Sequence, residues 1–309
     1  MLSTRVGGLE LGSPLMTGSG TFGHDPLALS FLKEGDLGAL VLKTVTPEPR
    51  TGNSPARMAE FPGGLLNSIG LENRGLEYWK ESVAPLLEEV AVPVVGNAGG
   101  HTIEDFVAVS EAFSGMEGIA AVELNLSCPN VDGGLHFSTR ADSAAEVVSA
   151  CRRVLDKPLW VKLSPNVTDT VPLARACEES GADALTVCNT LLGLLVDWKT
   201  RKPLLGRGYG GVSGPAVLPI AMRLVHQVSS SVSIPVIASG GASRPEDVLA
   251  FLVAGASAVQ IGTASFRRPD AISTIAAGMR SLLQKNGLVA SDLVGSLKWD
   301  GGGEKPREN

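Results

Sequence analysis

An eightfold alternation of short β-rich segments with amphipathic stretches constrains this chain more than any other feature. The β-rich segments lie at 14–18, 39–43, 93–97, 120–125, 159–163, 184–188, 235–239 and 258–262, and each ends in a polar or glycine-rich turn. Between most of them apolar residues recur at helical spacing, as in 103–113, 144–155, 171–180 and 245–254. Strands alternating with helices predict parallel β/α units, and eight units predict a closed (β/α)8 TIM barrel. The chain also repeats its punctuation. Gly35, Gly181 and Gly255 each follow a helical stretch and precede a buried strand, as left-handed helix ends do. Pro93, Pro158 and Pro235 each admit the chain to a strand. Thr102-x-x-Asp105 and Ser243-x-x-Glu246 read as capping boxes or close variants.

Three segments exceed the minimal module. Residues 1–12, with Gly7-Gly8 between apolar positions, predict a hairpin that closes the barrel floor. Residues 45–75 and 190–215 predict long insertions after strands 2 and 6, and a further insertion follows strand 4. Ordered insertions of this length in a compact domain are functional or interfacial. The expected organisation is one domain over 1–298, with a disordered tail over 299–309.

Composition narrows the function classes. At 309 residues, 44% hydrophobic and 19% charged, the chain is globular rather than disordered. A net charge of −6 without a dense Lys/Arg cluster argues against a nucleic-acid surface. No signal peptide is visible, and no apolar run approaches the roughly 20 residues of a membrane span. Cys128, Cys151, Cys177 and Cys188 are widely spaced, which excludes a self-contained zinc or iron–sulfur site and suits reduced thiols in a cytoplasm. Cys151 and Cys177 fall in helical patterns and read as core packing.

Polar residues at the strand ends converge in this fold on one mouth. In order they are Ser19-Gly20, Lys43-Thr44, Asn97, Asn125, Lys162, Asn189-Thr190, Gly240-Gly241 and Gly262-Thr263. Two lysines and three asparagines at strand ends need partners, which favours a site. Gly240-Gly241 before a capped helix, with Gly262-Thr263 after strand 8, predicts a backbone cradle for a phosphate. Such a cradle suits a sugar phosphate as well as a flavin. Lys162 leaves the same choice open, between a Schiff base and a cation stabilising a reduced isoalloxazine. Asparagines, with both donor and acceptor, suit a neutral amide-bearing ring.

The segment Glu123-Leu124-Asn125-Leu126-Ser127-Cys128-Pro129-Asn130 is the sharpest motif. Pro129 ends the strand and biases Cys128 toward an extended backbone, placing the thiol on a strand-end loop where catalytic side chains concentrate. The competing reading is a buried structural cysteine.

Together these residues resemble the class 1 dihydroorotate dehydrogenases, specifically the NAD-linked class 1B catalytic subunit. The match runs from Ser19-Gly20-Thr21-Phe22-Gly23 to Gly262-Thr263-Ala264. It takes in Asn67-Ser68-Ile69-Gly70-Leu71, the Asn-Leu-Ser-Cys-Pro-Asn segment, Val161-Lys162-Leu163-Ser164-Pro165-Asn166, Asn189-Thr190-Leu191 and Gly211-Val212-Ser213-Gly214-Pro215. The resemblance implies bound FMN, with Ser19, Lys43, Thr44, Asn97, Asn125, Lys162, Cys188, Gly214, Gly240, Gly241, Gly262 and Thr263 as contacts. It implies that Lys43, Asn67, Ser68, Ile69, Gly70, Leu71, Asn125, Asn189 and Thr190 hold the pyrimidine. Cys188 departs from the family, which more often has an aliphatic residue there. The implied chemistry is oxidation of dihydroorotate to orotate in pyrimidine biosynthesis: Cys128 takes the C5 proton and FMN N5 the C6 hydride. Residues 129–142, with Gly133-Gly134, would close over the ligand. The class also implies a catalytic homodimer within a heterotetramer, whose second subunit carries FAD and a [2Fe–2S] cluster. This chain has neither clustered cysteines nor a G-x-G-x-x-G unit for that route. The alternatives are a class 1A fumarate-reducing enzyme, a related flavin dihydropyrimidine enzyme, a sugar-phosphate barrel using Lys162 covalently, and a non-catalytic barrel.

Overall fold

The computed structural model describes residues 1–24, 26–126, 137 and 139–299. At its centre stand eight short parallel strands: β1 (Leu15–Thr17), β2 (Leu40–Val41), β3 (Val94–Ala98), β4 (Ala121–Asn125), β5 (Leu159–Lys162), β6 (Ala184–Val187), β7 (Val236–Ser239) and β8 (Ala256–Ile261). From β2 to β8 each strand pairs with the next in chain order, and β8 pairs with β1. The remaining seam, β1 to β2, is closed by a Met16–Ala39 bridge and by Gly38 N donating to Leu15 O at 2.7 Å. The Thr17 hydroxyl reinforces it, donating to Val41 O (3.0 Å) and accepting from Val41 N (2.8 Å). Only glycine fits at 38, because a Cβ there would lie 1.9 Å from Ser13 O. The barrel expected from the alternation is therefore present.

The repeated glycine punctuation behaves as expected, with Gly181 at φ 100° and Gly255 at φ 117°. Thr102 caps the helix Ile103–Ser114 reciprocally: its hydroxyl accepts from Asp105 N (3.2 Å) while Asp105 accepts from Thr102 N (3.3 Å). The second expected box is displaced. The helix is Pro245–Val253, and Asp247 rather than Glu246 accepts from the N–H groups of Ser243 and Arg244, both at 3.0 Å. Pro245 favours the first helical position, which sets the third at Asp247. The stretch expected at 144–155 is the helix Ala141–Arg152, and the chain turns before Lys157-Pro158, which cannot continue a helix.

The N-terminal hairpin pairs Thr4–Val6 with Leu9–Leu11. Val6 and Leu11 pack with Met16, Val41, Val95, Trp160 and Ile237 inside the barrel, and the Trp160 indole donates to Gly7 O at 3.2 Å. The hairpin thus seals the floor. The insertions after β2 and β6 do not stay separate. Strands Met58–Phe61 and Gly64–Asn67 from the first join Leu191–Leu194 and Tyr209–Ser213 from the second in one four-stranded antiparallel sheet, a roof beside the mouth. Of the segment after β4, residues 127–136 and 138 lie outside the described residues. Phe137 packs edge-on against Phe106, with ring centroids 5.9 Å apart. Of the tail expected over 299–309, residues 300–309 lie outside the described residues, and the Trp299 ring lies 5.6 Å from that of His226. No helix among the described residues is long and apolar enough to cross a membrane.

Candidate active site

Side chains in a strand point alternately to opposite faces, so residues two apart share the barrel interior. Moving toward the mouth, the interior positions change character: Val95 to Asn97 on β3, Ala121 to Glu123 to Asn125 on β4, Trp160 to Lys162 on β5. The same happens from Ala184 to Thr186 on β6 and from Ala258 to Gln260 on β8. Register sets these polar residues side by side, pairing Asn97 with Glu123 and Asn125 with Lys162. Hydrogen bonds then knit them together. The Thr44 hydroxyl donates to Asn97 Oδ1 (2.5 Å), Asn125 Nδ2 donates to Thr44 Oγ1 (3.1 Å), and Asn189 Nδ2 donates to Asn125 Oδ1 (3.2 Å). Lys162 Nζ donates to Ser19 Oγ and to Gln260 Oε1, both at 3.1 Å.

Above this network opens a cavity of about 1040 Å³. All but one of the site residues read from the sequence within the described part line it. They include Ser19, Lys43, Thr44, Asn67 to Leu71, Asn125, Lys162, Cys188, Asn189, Thr190, Gly214, Gly240, Gly241, Gly262 and Thr263. The exception is Asn97, which is fully buried behind Thr44. Cys128 lies outside the described residues. Sequence reasoning missed Glu123, Thr186 and Gln260 below the mouth, and Arg50, Asn53, Asn166, Arg207 and Tyr209 around it. A period-2 count back from Asn125, Cys188 and Gly262 reaches the first three.

Part of the cavity wall belongs to the insertions. Lys43 stands 3.9 Å from the Glu72 carboxylate, which Arg57 also meets at 3.1 Å. Asn67 Nδ2 donates to Gly211 O (3.2 Å), joining the two insertions at the cavity edge. Leu71 has φ 54°, a left-handed backbone that costs a non-glycine residue energy and that clusters at binding sites. At the other end, Thr263 Oγ1 donates to Ser213 Oγ (2.8 Å), tying the loop after β8 to the roof. An added Cβ at Gly20 or Gly262 would meet nothing nearer than 3.8 Å, so the backbone there is open to an incoming group.

Burial disfavours the thiolate form of the described thiols. It pushes Cys151 up to about 11 and Cys177 and Cys188 up to about 12, the last despite the opposing pull of Lys162. Cys188 is therefore a neutral wall residue. His24 moves the other way, down to about 4, because it is buried and faces the positive charge of Lys43. The Trp79 indole donates to its Nδ1 at 3.3 Å. No group of three His, Cys, Asp or Glu side chains able to hold a metal occurs among the described residues.

The family model for dihydroorotate dehydrogenase matches residues 1–283. This chain belongs to the dihydroorotate dehydrogenase family. It is 48% identical over 288 residues to the dihydroorotate dehydrogenase B (NAD(+)) catalytic subunit of Geobacillus kaustophilus, covering 93% of this chain and 92% of that protein. The subunit of the same name from Bacteroides thetaiotaomicron is 43% identical over 96% of this chain and 99% of its own. Among solved structures, the Eimeria tenella dihydroorotate dehydrogenase bound to ferulenol superposes with a TM-score of 0.78 at 22% identity. That match covers 96% of this chain and 88% of the other, and it supports the shared barrel fold.

Proposed function

We propose that this dihydroorotate dehydrogenase family member oxidises dihydroorotate to orotate in pyrimidine biosynthesis, with FMN as its resident cofactor and NAD as final acceptor. The observation that carries the reading is the joining of two chemistries in one cavity. Lys43, Asn67, Asn125 and Asn189 supply a cation and amides suited to a carboxylated pyrimidine, beside Lys162, Ser19 and an open glycine backbone. FMN fits these residues. The loops Ser239–Ser243 and Gly262–Ala264 offer backbone N–H groups to its phosphate, and Lys162 and Ser19 offer donors to the polar edge of its ring. At about 1040 Å³ the cavity lies just above the roughly 300–1,000 Å³ typical of ligand pockets, which leaves room for a second small molecule. Bound there, FMN supplies the two-electron acceptor for the hydride leaving the substrate's C6.

The chain's own residues do the rest. Lys43 pairs with the substrate carboxylate, and Asn67, Asn125 and Asn189 bond the amide edges of the ring. Cys128 follows Asn125 by three positions and takes the C5 proton as general base, a role that burial disfavours for Cys151, Cys177 and Cys188. An unperturbed thiol has a pKa of about 8.5, so kcat/KM rises with pH below that value as the thiolate fraction grows. The relatives' designation as catalytic subunits supports a partner. We take it to carry FAD and a [2Fe–2S] cluster and to pair with a catalytic homodimer in a cytoplasmic heterotetramer. The test is the visible spectrum of the purified chain and its bleaching by dihydroorotate without oxygen. A colourless protein, or a yellow one unchanged by dihydroorotate, sinks the reading. Rapid fumarate turnover by the isolated chain replaces the NAD-linked assignment with the fumarate-reducing one.

A further inference from the structure

A triply bonded carboxylate of the barrel interior lies one step below the strand ends. Glu123 is completely buried. Its Oε1 accepts from Asn97 Nδ2 (2.7 Å), and its Oε2 accepts from Thr186 Oγ1 (2.6 Å) and Gln260 Nε2 (2.7 Å). A side-chain amide has one donor end and one acceptor end. An amide that turns its nitrogen to Glu123 must therefore turn its oxygen elsewhere. For Gln260 the oxygen faces Lys162, whose ammonium donates to it at 3.1 Å. For Asn97 it faces Thr44, whose single hydroxyl proton is directed there at 2.5 Å. Thr44 Oγ1 consequently meets its next neighbour, Asn125 Nδ2, as an acceptor at 3.1 Å, and Asn125 Oδ1 accepts from Asn189 Nδ2 at 3.2 Å. In each of these links the donor points back toward Glu123, while the Lys162 ammonium also donates outward to Ser19 Oγ.

We propose that Glu123 is a positioning residue that sets the direction of both arms, and through them fixes how Lys162, Asn125 and Asn189 present themselves to the cavity. One arm, through Gln260, governs the cation; the other, through Asn97 and Thr44, governs the amides. Hydrogen bonds to a carboxylate are stronger than those between neutral groups, so the hub holds these directions against competing ones. A low-dielectric interior makes chains of this kind cooperative. The inference rests on the flavin-dependent reading above for its functional consequence, but the polarity of the arms stands on the hydrogen bonds alone.

Glu123→Gln keeps the shape, but it puts an NH2 where a donor already points, so one arm must reverse. In the FMN-loaded protein, loss of the buried negative charge is expected to raise the flavin midpoint potential by about 30 mV, tenfold in a two-electron equilibrium. KM for dihydroorotate is expected to rise about tenfold as Asn125 and Asn189 lose their orientation. Gln260→Met cuts only the cation arm and should move the potential without moving KM. Thr44→Val cuts only the amide arm and, although Thr44 also lines the cofactor cavity, should raise KM by a larger factor than it shifts the two-electron equilibrium, the reverse of Gln260→Met. If Glu123→Gln fails to fold, these two variants carry the test. Potentials and KM values all within twofold-equivalent of the parent, or both readouts moving together in each single-arm variant, overturn the proposal. Side-chain amide NMR signals of Asn125 and Asn189 in flavin-free protein should shift in Glu123→Gln and not in Gln260→Met. A colourless parent protein sinks the flavin reading, whereas unshifted amides sink this inference.

Discussion

The floor and the mouth of this barrel are built from the same eight strands and the same inward-facing rows, yet they are made of opposite materials. At the floor, Val41, Val95, Trp160, Ala184 and Ile237 pack dry against the N-terminal hairpin. Two residues further along the strands stand Lys43, Asn97, Lys162, Thr186 and Ser239. The floor removes apolar area from water and holds the strands together. The mouth buries polar groups that are costly unless every one is bonded, so it is organised by hydrogen bonds rather than by volume. The contrast teaches that stability and chemistry are separated by about one strand pleat along the barrel axis.

The largest effect should come from Cys128→Ala, which removes the proposed base. Turnover is expected to fall about 10²- to 10⁴-fold, with flavin absorbance and thermal stability kept; stopped-flow bleaching by dihydroorotate measures it. Trp160→Ala tests the floor in reverse. It should cost about 3–5 kcal/mol of stability, read by urea unfolding, while turnover per folded molecule stays the same. A collapse in turnover there would break the division of labour. His24 sharpens the comparison, because it faces the charge of Lys43 at the mouth but bears on stability. Its folded pKa is depressed to about 4 from the ordinary 6.5, so between those values the unfolded chain binds the extra proton. Its stabilising contribution is complete above pH 6.5 and is lost as the pH falls toward 4, a change of up to about 3 kcal/mol. His24→Phe should flatten that part of a pH–stability curve. Asn125→Ala should raise KM for dihydroorotate about 10- to 100-fold, one or two lost hydrogen bonds, in steady-state assays.

The barrel was legible because its alternation is local: each strand, turn and helix lies within one short stretch, and Gly181 or Pro158 marks the boundary. The strand-end residues were legible for the same reason, since Lys43, Asn125, Lys162 and Asn189 fall where apolar runs stop. Glu123, Thr186 and Gln260 sit inside runs that look apolar, and their purpose shows only when β3, β4, β6 and β8 are laid side by side. The cap at Ser243 slipped by one residue because Pro245 dictates the helix start. The roof could not be read at all from pattern, since its strands find partners on the far side of the chain.

That roof has a consequence for the order in which the molecule is made. Asn67 and Gly211, 144 positions apart, are bonded within it. Closing a loop of that length carries an entropic cost that local β/α pairing does not. We expect the barrel strands between them to draw the ends together first, which makes the binding wall late to assemble. During synthesis, a ribosome has to release residues beyond 263 before any ligand has a complete place to sit, because Gly240, Gly241, Gly262 and Thr263 line the same cavity. In denaturant, ligand affinity should fade while the barrel's helical signal still stands.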